Sequence, residues 1–310
     1  DNTGYVATIH DDSRVIEGTS GGWGKFPDVF DSSFKATLLT EVALHRGKAV
    51  GDPWCLGYFP GNELNWGSDE AALGRAILAS PADQTAKHVL IDRLKQQYAS
   101  IEKLNAAWKT EYASWDAMLQ STTPPGEDHG RDDLADFLGL IADAYFRQCR
   151  EAVKEVDPRG LYLGCRFAGS SHPVVFRTAA KYSDVVSVNR YSTTLTDLRL
   201  PDGIDKPVLI GEWHFGALDR GKFHASLREV ANQEARGEAY ETYVHSALKN
   251  PLVVGVHWHQ FSDQATTGRD DGENFQNGFT DVCDTPYAET IEACRRIGYQ
   301  LYDVRAERNE

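Results

Sequence analysis

Short apolar segments alternate with helical segments throughout the second half of the chain. Apolar runs at 161–165, 184–188, 207–210 and 252–256 are separated by stretches with helical spacing. Continuous apolar strands that alternate with helices indicate a parallel sheet covered on both faces. Polar and aromatic residues follow each run directly, as they do at the catalytic end of α/β barrels. The sequence therefore predicts an α/β fold and favours a (β/α)8 barrel over an open sheet.

The first half of the chain is mainly helical around one buried strand. The run Trp54–Phe59 has the composition of a strand, and Tyr5–Ile9 has that of part of another. Helical patterns fill much of 64–160, which we interpret as a long helical insertion between the fourth and fifth strands of the barrel. Within it, Ser80-Pro81-Ala82-Asp83 predicts a helix that begins with a serine cap and a proline in its first turn.

Composition excludes several kinds of partner. Lys+Arg number 32 against 46 Asp+Glu, a net charge of −14, which argues against nucleic acid. The longest apolar runs fall far short of a membrane span, so no membrane partner is expected. The first residues, Asp1-Asn2-Thr3-Gly4, have neither the basic start nor the apolar core of a signal peptide. The 11% of aromatic residues suits sugar-binding clefts as well as ordinary core packing.

Two glutamates follow predicted strands directly, in Asn62-Glu63 and in Gly211-Glu212. Glycoside hydrolysis needs such a pair, because one carboxyl must protonate the leaving oxygen while the other stays ionised and attacks the anomeric carbon. Asn62 can hold a sugar 2-hydroxyl beside the acid. A single glutamate at a strand end more often caps or pairs with a cation. Two at matching strand ends, flanked by Asn, Trp, Tyr and His, favour a catalytic pair.

Three longer strings carry a family resemblance. They are Gly57-Tyr58-Phe59 through Asn62-Glu63-Leu64-Asn65-Trp66-Gly67, then Gly211-Glu212-Trp213-His214-Phe215-Gly216-Ala217-Leu218-Asp219-Arg220-Gly221, and finally His257-Trp258-His259-Gln260 with Asp263-Gln264 and Thr267-Gly268-Arg269 through Asp271-Gly272-Glu273-Asn274. Together they resemble glycoside hydrolase family 50, the β-agarases, and more distantly the β-galactosidases of family 42. The resemblance runs from about Trp23 to Tyr302. It implies a retaining (β/α)8 glycoside hydrolase of clan A.

The resemblance implies a role for each matching residue. Glu63 resembles the acid/base and Glu212 the nucleophile, and Tyr191 resembles the tyrosine that binds the nucleophile and holds it ionised. Trp258 resembles the aromatic floor under the sugar at the cleavage point. Further sugar contacts are implied for His214, Gln260, Gln264, Glu273 and Asn274. For His214 a packed core histidine stays an alternative, as does a solvated turn for Glu273-Asn274.

The implied activity is cleavage of β-galactosidic linkages, chiefly the β-1,4 bonds of agarose or its oligosaccharides, by double displacement. No cofactor is needed, and His257 and His259 alternate along a strand, which disfavours a metal site. The resemblance also implies secretion or a periplasmic location. Two alternatives stay open: a β-galactosidase acting on small galactosides, and a carbohydrate-binding fragment that does not hydrolyse its ligand.

The chain is short of residues at its N-terminal side for a whole barrel. A barrel unit takes about 30 residues, so three units need about 90, whereas 62 residues precede Glu63. We therefore predict a single partial barrel domain over 1–310 that contains about units 4–8 and lacks most of the first three strands. Either another polypeptide or a second copy completes the barrel, or the chain is a fragment of a longer one.

Overall fold

A computed structural model describes residues 4–21, 24–169 and 172–307. Trp23, at which the family resemblance begins, lies outside the described residues. The chain forms two compact units, Asp1–Val186 and Ser187–Glu310.

The first unit contains a parallel sheet with the strand order β1-β2-β3. β1 (Tyr5–Ile9) pairs with β2 (Cys55–Pro60), and β2 pairs with β3 (Leu161–Tyr162). The strand predicted at Tyr5–Ile9 is therefore confirmed. The predicted strand over 161–165 is wrong beyond its second residue, because Gly164 adopts a φ of 81° that ends the extended run. A two-residue strand, β4, follows at Phe167–Ala168.

Helices make up most of the first unit. They are α1 (Ser32–Ala43), α2 (Ala72–Leu78), α3 (Thr85–Tyr98), α4 (Ile101–Trp108), α5 (Trp115–Gln120), α6 (Arg131–Val156) and α7 (Pro173–Tyr182). The 26-residue helix α6 is central, since α1, α2 and α7 all pack on it. Its buried face includes Leu134, Phe137, Ile141 and Phe146. Helices α2 to α6 lie within 64–160, the range predicted to be mainly helical. That this range is an insertion into a barrel stays a prediction.

Helix α3 begins at Thr85, so the start predicted at Ser80 is wrong. The Ser80 hydroxyl accepts a hydrogen bond from the backbone N–H of Gly18 instead of capping α3. The acceptor at the start of α3 comes from far away in the sequence. Oδ2 of buried Asp28 accepts from the backbone N–H of Ala86 at 2.9 Å. A carboxylate near a helix N-terminus is also favoured by the helix dipole.

The second unit contains three adjacent strands, β5 (Val186–Asn189), β6 (Val208–Trp213) and β7 (Val253–Trp258), of which β6 and β7 run parallel. Helices α8 (Gln233–Lys249) and α9 (Ala288–Ala306) pack against each other.

The core of the second unit is centred on an aromatic stack. The rings of Trp213 and Tyr243 are parallel, with centroids 4.0 Å apart. Around them pack the apolar side chains of β6 and β7, such as Ile210 and Val253. β6 extends beyond the predicted strand because the residues that follow Ile210 are themselves buried, and β7 continues past the predicted end at Val256. Glu212 therefore lies within β6, and Trp258 is the last residue of β7.

The predicted α/β class with parallel sheets is confirmed. Within the described residues, none of the helices has the length and apolar character required to span a membrane.

Candidate active site

Glu212 is buried in β6 and receives a hydrogen bond from Tyr191. Glu212 is 9% exposed to solvent. The Tyr191 hydroxyl donates to Oε2 of Glu212 at 2.7 Å. A hydrogen bond to a charged acceptor is stronger than one between neutral groups, so this contact holds the carboxylate in place. The structure thus brings together the two residues that the resemblance matched to a nucleophile and its tyrosine.

The backbone around Tyr191 is held on both sides. The backbone N–H of Arg190 donates to the carbonyl of Glu212 at 3.0 Å, and the Tyr243 hydroxyl donates to the carbonyl of Arg190 at 2.8 Å. The carbonyl of Tyr191 accepts from Nε of Arg228 at 2.6 Å. These bonds fix the direction from which the tyrosine hydroxyl approaches the carboxylate.

His214 is a neutral, buried histidine whose ring packs against Tyr191. Its Nδ1–H donates to the carbonyl of His259 at 2.9 Å, and its Nε2 accepts from the backbone N–H of Leu227 at 3.2 Å. Burial lowers its pKa to about 3, partly offset by the hydrogen bond to His259. The centroids of the His214 and Tyr191 rings are 4.6 Å apart. The ring is therefore a support for Tyr191, and both of its nitrogens are already engaged by backbone groups.

Trp258, at the end of β7, is held in place by its indole nitrogen and by neighbouring rings. Nε1–H donates to the carbonyl of Asn277 at 2.7 Å. The ring of Trp213 lies perpendicular to it at 4.8 Å. Behind it, the guanidinium carbon of buried Arg236 lies 5.4 Å from the ring, and Arg236 donates to the carbonyl of Gly278 at 2.7 Å. The indole plane is thus fixed rather than free to turn.

Gln264 is buried and orients Glu273. Nε2 of Gln264 donates to Oε2 of Glu273 at 2.8 Å, while its Oε1 accepts from the backbone N–H of Phe275. Gln260, predicted with it as a sugar contact, is half-buried and donates to the carbonyl of Ser262 at 2.8 Å. Gln264 therefore acts as part of the loop that presents Glu273.

Arg269 adds a positive charge to the same loop. Its Nη2 lies 2.7 Å from Oε2 of Glu273 and 2.5 Å from a carboxylate oxygen of Asp271. The hydrogen bond that Arg269 donates to Asp271 is the main cause that raises the pKa of Arg269. Burial opposes this shift, and the negative charges of Glu273, Asp271 and Glu212 add to it. Asn274 is half-buried beside Glu273. The structure therefore brings the loop at 269–274 within electrostatic range of Glu212.

In the first unit, Glu63 follows β2 with an unusual backbone conformation. Its φ is 50°, in the left-handed region, and its backbone N–H donates to the carbonyl of Cys165 at 3.1 Å. For a residue with a Cβ this conformation costs on the order of 1 kcal/mol, and such residues concentrate at functional sites. With Asn62, Phe26 and Asn65, Glu63 lines a cavity of about 40 Å3.

Gly61 makes the turn that brings Glu63 off the strand. Its φ is 75°, and a Cβ there would lie 2.6 Å from the hydroxyl oxygen of Tyr145. That hydroxyl donates to the carbonyl of Pro60 at 2.9 Å. A side chain at position 61 would break this contact.

Two arginines that hold residues of the site in place were not predicted from the sequence. They are Arg228 and Arg236. Arg236 could have been found, because it is a charged residue on the buried face of α8, whereas Arg228 lies in a loop that shows no such pattern.

Across the described part of the chain, no group of three or more His, Cys, Asp or Glu could hold a metal ion.

Comparisons with known proteins point to one family. No family model matches the sequence. β-Agarase B of Vibrio sp. strain JT0107 is 36% identical over 323 residues, which cover 97% of this chain and 33% of the relative. β-Agarase A of the same strain is 34% identical over 315 residues, covering 91% and 31%. The chain spans about a third of the length of these curated relatives.

Solved structures agree. An exo-β-agarase superimposes with a TM-score of 0.87 at 34% identity, over 97% of this chain and 43% of that one. Another agarase gives a TM-score of 0.83 at 34% identity, over 97% and 45%. A haloarchaeal β-galactosidase from Halorubrum lacusprofundi, at 16% identity and a TM-score of 0.58, shares the fold. The predicted resemblance is thus confirmed, and over 97% of its length the chain is a homologue of the β-agarases of glycoside hydrolase family 50.

Proposed function

We propose that this chain carries the catalytic groups of a retaining glycoside hydrolase that cleaves β-galactosidic linkages, chiefly the β-1,4 bonds of agarose or agaro-oligosaccharides. The observation that carries the proposal is the 2.7 Å hydrogen bond from Tyr191 to Glu212 in a homologue of β-agarases. A buried carboxylate that receives a hydrogen bond and faces a strand end is suited to act as a nucleophile.

The proposed reaction is a double displacement. An oxygen of Glu212 forms a bond to the anomeric carbon as the bond to the leaving oxygen breaks, and Glu63 gives that oxygen its proton. Glu63 then takes a proton from water, the water oxygen binds the anomeric carbon, and Glu212 leaves as a carboxylate. This route requires the two carboxyl groups about 5–5.5 Å apart, which is the geometric condition on the proposal.

The remaining residues bind the sugar or support those that do. Asn62 takes the 2-hydroxyl beside the acid, and Trp258 provides the floor. Gln260, Glu273 and Asn274 supply polar contacts from the loops that follow β7. His214 and Gln264 are positioning residues in this proposal, because hydrogen bonds to neighbouring protein groups already occupy their polar atoms.

We also propose that this chain forms part of a (β/α)8 barrel and contributes about units 4–8 of it. β7 is the last strand in the order given for the second unit, and an apolar groove of about 570 Å3 lies beside it, lined by residues such as Val254, Val256, Leu301 and Tyr302. Val254 and Tyr302 in this groove are 59% and 88% exposed, and burial of such side chains against a further element is favourable. The remaining β/α units would come from a second polypeptide, from a second copy of this chain or from a further part of the same polypeptide.

For location we propose secretion or the periplasm. Agarose is a polysaccharide too large to enter a cell, so an enzyme that attacks the polymer has to meet it outside the cytoplasm. If the substrate is a small galactoside instead, this argument for a location outside the cytoplasm does not apply.

The test replaces Glu212 by Gly in the native particle that contains this chain. Hydrolysis of agarose should be lost, and added azide should restore cleavage by forming a glycosyl azide of inverted configuration. The matched control is Glu111→Gly, an exposed glutamate on the loop between α4 and α5, which should behave as the wild type. Loss without azide rescue would count against Glu212 as the nucleophile. Activity on a nitrophenyl galactoside but not on agarose would identify a β-galactosidase, and binding without turnover would identify a non-hydrolytic protein.

A further inference from the structure

Phe223 is a large apolar side chain presented to solvent from an anchored segment. It is 73% exposed, on the loop that follows β6. Its neighbour Lys222 is buried and donates from Nζ to the carbonyl of Gln264 at 2.7 Å, and Ala225, two residues later, is buried as well. The backbone is thus fixed on both sides of a ring that faces outwards. Covering such a ring with a ligand or partner removes its apolar surface from water, which is favourable.

The segment that carries Phe223 runs alongside the loop that carries Glu273 and Asn274. His224 and Phe275 form a parallel bridge, and the backbone N–H of Gln276 donates to the carbonyl of His224 at 2.9 Å. The rings of His224 and Phe275 are 4.8 Å apart. In this parallel register, Phe223 and Asn274 are the next neighbours along the two segments.

The same loop is continuous with the candidate active site. The ring of Phe275 lies 5.8 Å from that of His214, and His214 lies 4.6 Å from the ring of Tyr191. Tyr191 in turn donates to Glu212. His224, the residue after Phe223, is therefore connected to the candidate nucleophile through the rings of Phe275, His214 and Tyr191 within the second unit.

An exposed aromatic side chain on a segment that runs beside a loop with amide, carboxylate and guanidinium groups has the composition of a sugar-binding surface. The ring covers the apolar C–H face of a pyranose, while the polar groups exchange hydrogen bonds with its hydroxyls. We propose that Phe223, Asn274 and the Arg269–Glu273 ion pair form a saccharide subsite beside the cleavage point, where one ring of an agaro-oligosaccharide stacks on Phe223. This inference rests on the proposed function, since it concerns the binding of the same substrate.

The test compares Phe223→Ala with the wild type on two substrates, agarose and a nitrophenyl β-galactoside that is too short to reach a second subsite. The KM for agarose should rise by about three- to tenfold, the range expected for a lost aromatic contact. Kinetics on the short substrate should not change. Phe223→Tyr should restore the wild-type KM, because the ring face is kept. Tyr299→Ala, an 87% exposed aromatic on α9, is the matched control and should leave both substrates unaffected.

Calorimetric titration with agaro-oligosaccharides separates this inference from the proposed function. If the wild type binds but hydrolyses neither substrate, the proposed function fails, while a weaker binding of Phe223→Ala still supports the subsite. An equal loss of activity on both substrates overturns the subsite, as does an unchanged affinity. A change in the mass of the particle with unchanged saccharide affinity also overturns it and identifies Phe223 as a protein contact.

Discussion

The hydroxyl of Tyr191 donates a 2.7 Å hydrogen bond to Oε2 of Glu212, and the surrounding structure holds both residues in place. Tyr191 is held through Arg228 and through the ring of His214, and Glu212 lies within β6 rather than on a loop. A donor held in this way stabilises the negative charge of the carboxylate without having to reorganise during the reaction.

Replacing Tyr191 by Phe should weaken the candidate nucleophile. A hydrogen bond to a charged group contributes about 1.5–3 kcal/mol, so kcat/KM should fall by about 10- to 100-fold. The loss should appear in kcat more than in KM, because the hydrogen bond acts on the attacking carboxylate rather than on the sugar. The measurement is kcat and KM for agarose.

A second tyrosine–carboxylate pair gives the control. The Tyr182 hydroxyl donates to a carboxylate oxygen of Asp143 at 2.6 Å, on helices of the first unit. Tyr182→Phe removes the same kind of bond and should leave kcat and KM unchanged. A kcat that stays at the wild-type value in Tyr191→Phe, or one that falls equally in both variants, would contradict the role given to Tyr191.

The residues that follow strands were the part of the site that sequence could predict. Glu212, Tyr191 and Trp258 each follow or end an apolar run, and a parallel sheet brings such positions to one edge. That Tyr191 reaches Glu212 followed from the family resemblance rather than from spacing, because the segment 190–207 between β5 and β6 has no helix or strand that would fix its path.

What the sequence could not predict depends on contacts between distant segments. Asp28 serves α3 from 58 positions away, so the local pattern at Ser80 suggested the wrong start. His214 was predicted to contact sugar, but its two ring nitrogens are hydrogen-bonded to backbone groups of two separate loops. The sequence around Phe223 has no pattern that distinguishes an exposed ring from a buried one.

The buried histidine should make stability depend on pH. The pKa of His214 is lowered to about 3 in the folded protein, against about 6.5 in an unfolded chain. Between these values only the unfolded state binds the proton, so its contribution to stability is complete above pH 6.5 and declines as the pH falls towards 3. At pH 4.5 the loss amounts to up to about 3 kcal/mol. His214→Asn should flatten this part of the curve of unfolding free energy against pH.

The control for this prediction is His88→Asn, which changes an exposed histidine on α3. It should leave the slope between pH 4 and 6.5 as it is in the wild type. If His214→Asn keeps that slope too, the decline comes from other groups and the burial of His214 has no measurable effect on acid stability.

Gly216 is expected to tolerate no side chain. A Cβ there would lie 1.4 Å from the carbonyl oxygen of Ala225 and 2.2 Å from that of Gln276. Gly216→Ala should push the loop at 225–230 outwards, and that loop includes Arg228, which holds Tyr191. We expect a lower Tm together with a loss of activity. Gly298→Ala on α9, where a Cβ meets open space, should instead stabilise the protein by about 0.5–1 kcal/mol. Equal Tm values for the two variants would contradict this prediction.

Lys87 is buried and joins the ends of two helices. Its Nζ donates to the carbonyl of Ser80 at 2.7 Å, just past the end of α2, and to the carbonyl of Ser121 at 2.6 Å, at the end of α5. Burial lowers its pKa. A cation is favoured at helix C-termini, where the dipoles place partial negative charge.

Lys87→Met keeps the apolar stem but removes the donors, so two carbonyls lose a charged partner. Each buried acceptor left without a partner costs about 1–3 kcal/mol, and we expect the free energy of unfolding in urea to fall by about 2–4 kcal/mol. Lys95→Met, on the exposed face of the same helix, removes a surface pair with Asp92 and should change stability by less than about 0.5 kcal/mol. If the two variants unfold at the same urea concentration, the ends of α2 and α5 do not depend on Lys87.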